Sequence, residues 1–185
     1  MTTRLLLLRH ATPLPEDQDP ARPLSEEGIA EADLTANAVA AFLGLDSKFG
    51  RASTNAPPDV VIVHSGKARA EQTAARLRDV LVLGGATLIG DSADGEALAP
   101  NADPALAIAL MDTLHVQQNT LLVLTGHLPM LHKLAAALGI ADCSADSFAP
   151  AGGLLLQSVS AQAGWSLANV VDKTSWWMEA PPPPP

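Results

Sequence analysis

Three histidines and two arginines stand at or just beyond the ends of short apolar runs of this sequence. Residues 5–8 (LLLL) lead at once into Arg9-His10. Residues 60–63 (VVIV) lead into His64-Ser65-Gly66, with Arg69 a few positions on. Residues 120–124 (TLLVL) lead into Thr125-Gly126-His127. A neutral imidazole is a nucleophile near pH 7. Guanidinium forks match the oxygens of a phosphoryl group and stabilise the charge of its transition state. A second histidine, if protonated, adds a donor. His10, His127, Arg9 and Arg69 together therefore suit phosphoryl transfer through a phosphohistidine. Arg22, in the segment rich in proline and acid that follows the first run, can join them.

For these residues to meet, the runs must be strands of one sheet, the first spanning residues 3–8 (TRLLLL). Each is short, apolar and free of polar alternation, as buried parallel strands are. Between them lie helical patterns. Ser25 is placed to cap a helix, with Glu26 and Glu27 in its first turn. Ile29, Ala32, Ala36, Val39, Ala40 and Leu43 then recur at helical spacing, and Gly44 is a stop signal. A second helix starts near Lys67, with Ala70, Ala74, Leu77 and Leu81 on one face. A short strand is expected at 86–89 and a loop carrying Glu96 at 90–103. Pro104 opens a third helix to about Leu114. Pro129 opens a fourth, with Leu131, Leu134, Ala135 and Leu138 inward. Residues 154–160 and 166–171 read as two strands around the Ala163-Gly164 turn. The order β-α-β-α-β-α-β-α-β-β predicts an α/β fold with a mostly parallel sheet and helices on both faces. Ligands of such sheets bind at the carboxyl ends of the strands. Residues 1–175 form the predicted domain. Residues 176–185, with Trp176, Trp177 and five prolines, form a tail expected to be exposed polyproline II.

Composition narrows the function classes. The chain has 185 residues, 48% hydrophobic and 17% charged. That is enough apolar material for a real core and excludes disorder throughout. A net charge of −9 argues against general affinity for nucleic acid or anionic membrane, which need basic surfaces. An anionic ligand then requires arginines gathered locally. A single cysteine, Cys143, excludes an intrachain disulfide; it is read as a small apolar filler. No apolar run approaches a membrane span of ~20 residues, and the run 5–8 is shorter than a signal-peptide core. A cytoplasmic location is the expectation.

The residues at the strand ends also resemble a known family. Leu8-Arg9-His10-Ala11 resembles the Arg-His-Gly signature of the histidine phosphatase superfamily, also called phosphoglycerate mutase-like. Arg22-Pro23-Leu24-Ser25 with Gly28 is similar to the segment that follows that signature. The stretch from His64-Ser65-Gly66-Lys67 through Arg69-Ala70-Glu71-Gln72-Thr73 resembles its "SP..RA.QT" segment. Glu96-Ala97-Leu98-Ala99-Pro100 is similar to its "E.L.P" loop, and Gly126-His127-Leu128-Pro129 to its second-histidine motif. The order and spacing agree over about 150 residues of the chain. The short length most resembles the SixA-like phosphohistidine phosphatases.

The resemblance implies a three-layer α/β/α sandwich and a phosphatase that needs no metal and no cofactor. It implies His10 as the nucleophile and Arg9, Arg69 and His127 as the phosphate pocket, with Arg22 at its edge. Glu96 would match the acid of the mutase branch, and Ser65 would either touch phosphate or cap the second helix. Three residues depart from the pattern: Ala11 replaces glycine, Gly66 replaces proline, and Leu128 stands where acid phosphatases carry an aspartate general acid. A phosphohistidine tolerates a missing acid because its P–N bond is labile. An alkyl phosphate tolerates it less, because an unprotonated alkoxide leaves poorly. The expected partner is therefore a histidine-phosphorylated signalling or phosphotransfer protein. The alternatives are a phosphatase for small phosphate esters and a non-catalytic phosphate-binding regulator.

Other chemistries fit less well. A metallohydrolase on His10, His64 and His127 would lack a His-x-x-x-His pair or clustered carboxylates. Ser65 lacks the Gly-x-Ser-x-Gly elbow of a serine hydrolase. Gly66-Lys67 lacks the upstream glycine of a P-loop. His64 is read as packing or pocket lining, Lys67 as a solvated helix residue, and His115 and His132 as surface residues. Trp176 and Trp177 are read as packing or edge cover.

Overall fold

In the computed structural model the described residues are 3–45, 56–114, 117–140, 143, 145–158 and 164–171. The tail with Trp176 and Trp177, and His115, lie outside them. So do Ala163 of the predicted turn and the last two residues predicted for the strand 154–160. Six strands and four helices follow one another as β1 (Thr3–Arg9), α1 (Glu26–Phe42), β2 (Asp59–His64), α2 (Ala68–Leu83), β3 (Thr87–Ala93), α3 (Pro104–Thr113), β4 (Thr120–Gly126), α4 (Met130–Ala137), β5 (Gly153–Ser158) and β6 (Ser166–Val171). A 3-10 turn at Ala145–Phe148 precedes β5.

The strands form one sheet in the order β3-β2-β4-β1-β5-β6. β1, β2, β3 and β4 run parallel, and β5 and β6 join antiparallel. Alternate residues of each central strand face opposite sides. Leu5, Leu7, Val61, Val63, Leu122 and Leu124 pack with Ala107 of α3 and Met130, Leu131 and Leu134 of α4. Leu6, Leu8, Val60, Ile62, Leu121 and Val123 pack with Val39 of α1 and Ala74, Leu77 and Leu81 of α2. Burying both faces is what makes these runs uninterruptedly apolar. The result is the expected three-layer α/β/α sandwich.

Helix ends follow their sequence signals. Ser25 caps α1, its hydroxyl accepting the Gly28 N–H. Gly44 takes a φ of 72° just beyond the helix, as a left-handed stop residue does. Asp103 caps α3 ahead of Pro104. Two expectations are corrected. The strand expected at 86–89 runs on to Ala93, because parallel pairing with β2 holds Gly90, Asp91 and Ser92 despite their poor strand propensity. Ser65 does not cap α2. Lys67 holds the cap position without a side-chain bond, and the Ser65 hydroxyl is used elsewhere.

Gly28 fixes how closely α1 approaches the end of β1. A Cβ at this position would collide with the Thr12 carbonyl oxygen. Backbone cannot yield as a side-chain tip can. Gly28→Ala is therefore expected to destabilise the protein by roughly 1–3 kcal/mol despite alanine's better helix propensity. Urea denaturation measures this, and an unchanged or raised midpoint would contradict the close approach.

Candidate active site

The carboxyl ends of β1, β2 and β4 lie side by side. Arg9 is in register with Gly126, and His64 with Thr125. The next residues, His10 and His127, come together with ring centroids 4.8 Å apart and planes tilted by 57°. Arg69, on the first turn of α2, reaches the same point, its Nε lying 3.3 Å from His10 Nε2.

Hydrogen bonds fix the tautomer of His10 and anchor the ring of His127. His10 Nδ1 lies 2.8 Å from the Ala11 carbonyl oxygen. A carbonyl only accepts, so Nδ1 carries the proton and the Nε2 lone pair faces Arg69, whose Nε–H donates to it. Burial pushes the His10 imidazole down to about 4. The bond to Ala11 opposes that, and the charges of Arg69, Arg9 and Arg22 reinforce it. His127 is 2% exposed, with Nε2 2.7 Å from the Ser65 hydroxyl. Burial, followed by His10 and the charges of Arg69, Lys67 and Arg9, drives it down to about 3. Both rings are neutral at pH 7, as a nucleophile requires.

The cations are held in turn. Arg9 Nη1 donates to the Phe148 carbonyl at 2.8 Å, which is how the 3-10 turn before β5 serves the site. Burial lowers the Arg9 guanidinium pKa, and the Glu31 carboxylate partly offsets this. Burial and then the Arg22 charge lower that of Arg69. Arg22 adopts a φ of 50° and donates through Nε to the Leu14 carbonyl at 3.4 Å. Its segment is pinned by the Leu14 N–H to Pro23 carbonyl bond at 2.7 Å. Four cations thus act on this pair of imidazoles in a chain of charge −9.

The turn that carries His10 has its backbone groups satisfied in sequence. His10 N–H donates to the Gly126 carbonyl, and the His10 carbonyl accepts from Ala151 N–H. Ala11 N–H donates to Thr73 Oγ1 at 3.0 Å, and Thr12 N–H to Glu31 Oε2 at 3.0 Å. The Thr12 carbonyl accepts from both the Ser25 N–H and its hydroxyl. Glu31 is the one buried carboxylate among the described residues.

The departures from the family pattern now have physical explanations. Gly66 has a φ of 74°, which a proline ring excludes. The Ala11 methyl is fully buried against Leu24, Ala32 and Ala151. Leu128 packs against the core on the α3 and α4 side, so no acid stands beside His127 in sequence.

Of the residues singled out in the sequence, Arg9, His10, Arg22, Ser65, Arg69 and His127 come together. Glu96 is exposed on the segment after β3, with its N–H on Asp94 Oδ1, and no described bond joins it to either histidine. His64 Nδ1 accepts the Gly66 N–H. Lys67 is exposed, as expected of a solvated residue, but its charge bears on His127. His132 is exposed, and Cys143 is half-buried against the core. Sequence reasoning missed Glu31 and gave Thr73, the last residue of the Arg69 motif, no role of its own. Both carry a helix-spaced signal, being polar residues on the inward stripes of α1 and α2. Among the described residues no three His, Cys, Asp or Glu side chains gather as a metal site. No described helix is long and apolar enough to cross a membrane.

No protein-family model and no curated protein sequence matches the chain. Solved structures do match. The protein histidine phosphatase SixA complexed with tungstate superposes with a TM-score of 0.64 at 20% identity, covering 92% of this chain and 97% of that one. A protein from Agrobacterium tumefaciens assigned as a phosphohistidine phosphatase SixA gives 0.56 at 26% identity, covering 91% and 97%. A mycobacterial glucosyl-3-phosphoglycerate phosphatase gives 0.59 at 17% identity, covering 91% and 98%. With its motifs at the ends of β1, β2 and β4, the chain has the phosphoglycerate mutase-like fold of the histidine phosphatase superfamily.

Proposed function

We propose that this protein is a phosphatase working through a phosphohistidine on His10, with phosphohistidine on a signalling or phosphotransfer protein as its substrate. The observation that carries the reading is the state of His10. Its Nδ1 proton is committed to the Ala11 carbonyl, and its Nε2 lone pair lies against Arg69 beside His127. An incoming phosphoryl group competes for the Arg69 N–H and so releases that lone pair. His10 Nε2 then attacks phosphorus in line. The P–N bond to His10 forms as the bond to the leaving group breaks. Arg9, Arg69 and His127 hold the equatorial oxygens, and Arg22 lies at the edge. Water next attacks phosphorus, the P–N bond breaks, and inorganic phosphate and neutral His10 remain. No metal takes part in these steps.

The substrate class rests on the leaving group. Both imidazoles are neutral at pH 7, Leu128 replaces a potential acid, and Glu96 is exposed on its loop. The arrangement suits a leaving group that needs little protonation, as an imidazole does. The small-ester reading is kept alive by the likeness to the glucosyl-3-phosphoglycerate phosphatase.

The test incubates the protein, with EDTA present, with a histidine-phosphorylated phosphotransfer domain and separately with p-nitrophenyl phosphate. Phosphate release is expected to be fast from the phosphoprotein and slow from the ester. Fast release from the ester alone would replace the substrate class with small phosphate esters. Loss of both activities in EDTA, with recovery on adding a divalent metal, would overturn metal independence.

A further inference from the structure

We infer that Thr73 is a positioning residue whose hydroxyl couples the turn carrying His10 to the helix carrying Arg69. The hydroxyl makes two bonds. Its oxygen accepts the Ala11 N–H at 3.0 Å, and its proton goes to the Arg69 carbonyl at 2.7 Å. A hydroxyl offers one donor and can accept at the same time, so this single group ties both segments together. Thr73 is 2% exposed, and water does not readily take its place.

The coupling matters because the two ends of the proposed nucleophile's ring depend on these segments. Ala11 is the residue whose carbonyl accepts the His10 Nδ1 proton. Arg69 is the residue whose Nε–H meets His10 Nε2. Thr73 thus holds the His10–Ala11 peptide, next to the Ala11–Thr12 peptide whose carbonyl selects the tautomer of His10, and the turn of α2 that presents its partner. The other bonds to the turn, from Gly126, Ala151, Glu31 and Ser25, come from β4, the segment before β5, and α1. Among the described backbone groups of residues 10–12, only the Ala11 N–H bonds to α2. Removing the hydroxyl at constant volume leaves the Ala11 N–H buried without an acceptor. The His10–Ala11 peptide then shifts and carries the Ala11 Cα with it, the Ala11 carbonyl beyond that Cα is displaced from Nδ1, and the Nε2–H tautomer, which cannot attack, becomes populated.

This inference rests on His10 as the nucleophile, but one of its readouts does not. Thr73→Val and Thr73→Ser are compared with the unaltered protein in two ways. The first is the tautomer of His10, read from its ring nitrogen and carbon shifts by NMR. The second is kcat and KM for the phosphoprotein. The unaltered protein and Thr73→Ser should show one His10 tautomer, with the proton on Nδ1, and kcat within about threefold of each other. Thr73→Val should show a mixture of tautomers and a kcat lower by roughly 10–100-fold, the scale of a small misplacement at the reacting atoms, with KM little changed. If the valine variant does not fold, Thr73→Ala is judged by the same two readouts. A folded variant without the hydroxyl that keeps a single Nδ1–H tautomer and normal kcat would overturn the coupling. So would a Thr73→Ser as impaired as Thr73→Val. If the unaltered protein releases no phosphate, the functional reading fails, and the tautomer readout alone then decides the role of Thr73.

Discussion

His10→Ala is expected to lose phosphatase turnover by more than ~10³-fold, since removing a covalent nucleophile leaves only binding and charge stabilisation. The ring is only partly buried, and its one backbone bond is to Ala11 of its own turn. The variant should therefore keep its fold, with stability changed by about 1 kcal/mol. The proposed phosphate pocket should also survive, because Arg9 is held by Phe148 and Arg69 sits on α2. Rate and vanadate affinity, measured on one preparation, separate these outcomes. The expected pattern is a lost rate with retained vanadate binding, and no phosphoenzyme trapped by acid quench. Turnover near the unaltered rate would remove His10 as the nucleophile. A rate lost together with the melting transition would show only that His10 supports the fold.

The second large effect is on stability as pH falls. The His10 and His127 imidazoles sit at about 4 and about 3 in the folded protein, against about 6.5 in an unfolded chain. The unfolded state therefore binds more protons between these values, and stability rises with pH across that window. The contribution is fully present above about pH 7 and is lost as pH drops from about 6.5 towards 4. At pH 4 each histidine removes ~3 kcal/mol relative to pH 8. For a chain of this size the pair lowers Tm by roughly 10–20 °C. Inorganic phosphate should lessen the drop, because a bound anion favours the imidazolium form. His127→Asn should shallow the curve by about half. Thermal melts from pH 8 to 4 read this directly. A Tm that does not fall between pH 6.5 and 4.5 would refute neutral, acid-resistant imidazoles in this site.

How far the sequence reveals the site depends on how local each signal is. The strands β1, β2 and β4 are legible because their leucines and valines are buried on both faces, which leaves no room for polar alternation. Their ends are legible with them, and so are Arg9, His10 and His127. The extent of β3 is not. Its last residues, Gly90, Asp91, Ser92 and Ala93, are paired with β2 and mostly exposed, so neighbour rather than composition makes the strand. The role of Ser65 is hidden for a different reason. Locally it stands just ahead of a helix, as a cap would, whereas its bond goes to His127, 62 positions away. Thr73 is one helical turn beyond Arg69, and its bond to the Arg69 carbonyl is a local one. Its bond to Ala11 spans 62 positions and follows only from the packing of α2 against the end of β1. The left-handed backbone of Arg22 has no sequence signal, since nothing in an arginine asks for a φ of 50°.

β1 lies in the middle of the sheet, between β4 and β5. Of the six strands described, the first to be made is thus enclosed only by the fourth and fifth. The Arg9 N–H waits for the Gly152 carbonyl, the Arg9 side chain for that of Phe148, and the His10 carbonyl for the Ala151 N–H. A nascent chain carries the proposed nucleophile long before residues 148–152, which bond to Arg9 and His10, have been translated. Domains whose pairings span this much sequence assemble late and together. His10 is therefore among the first residues of the site to be made and among the last to be enclosed.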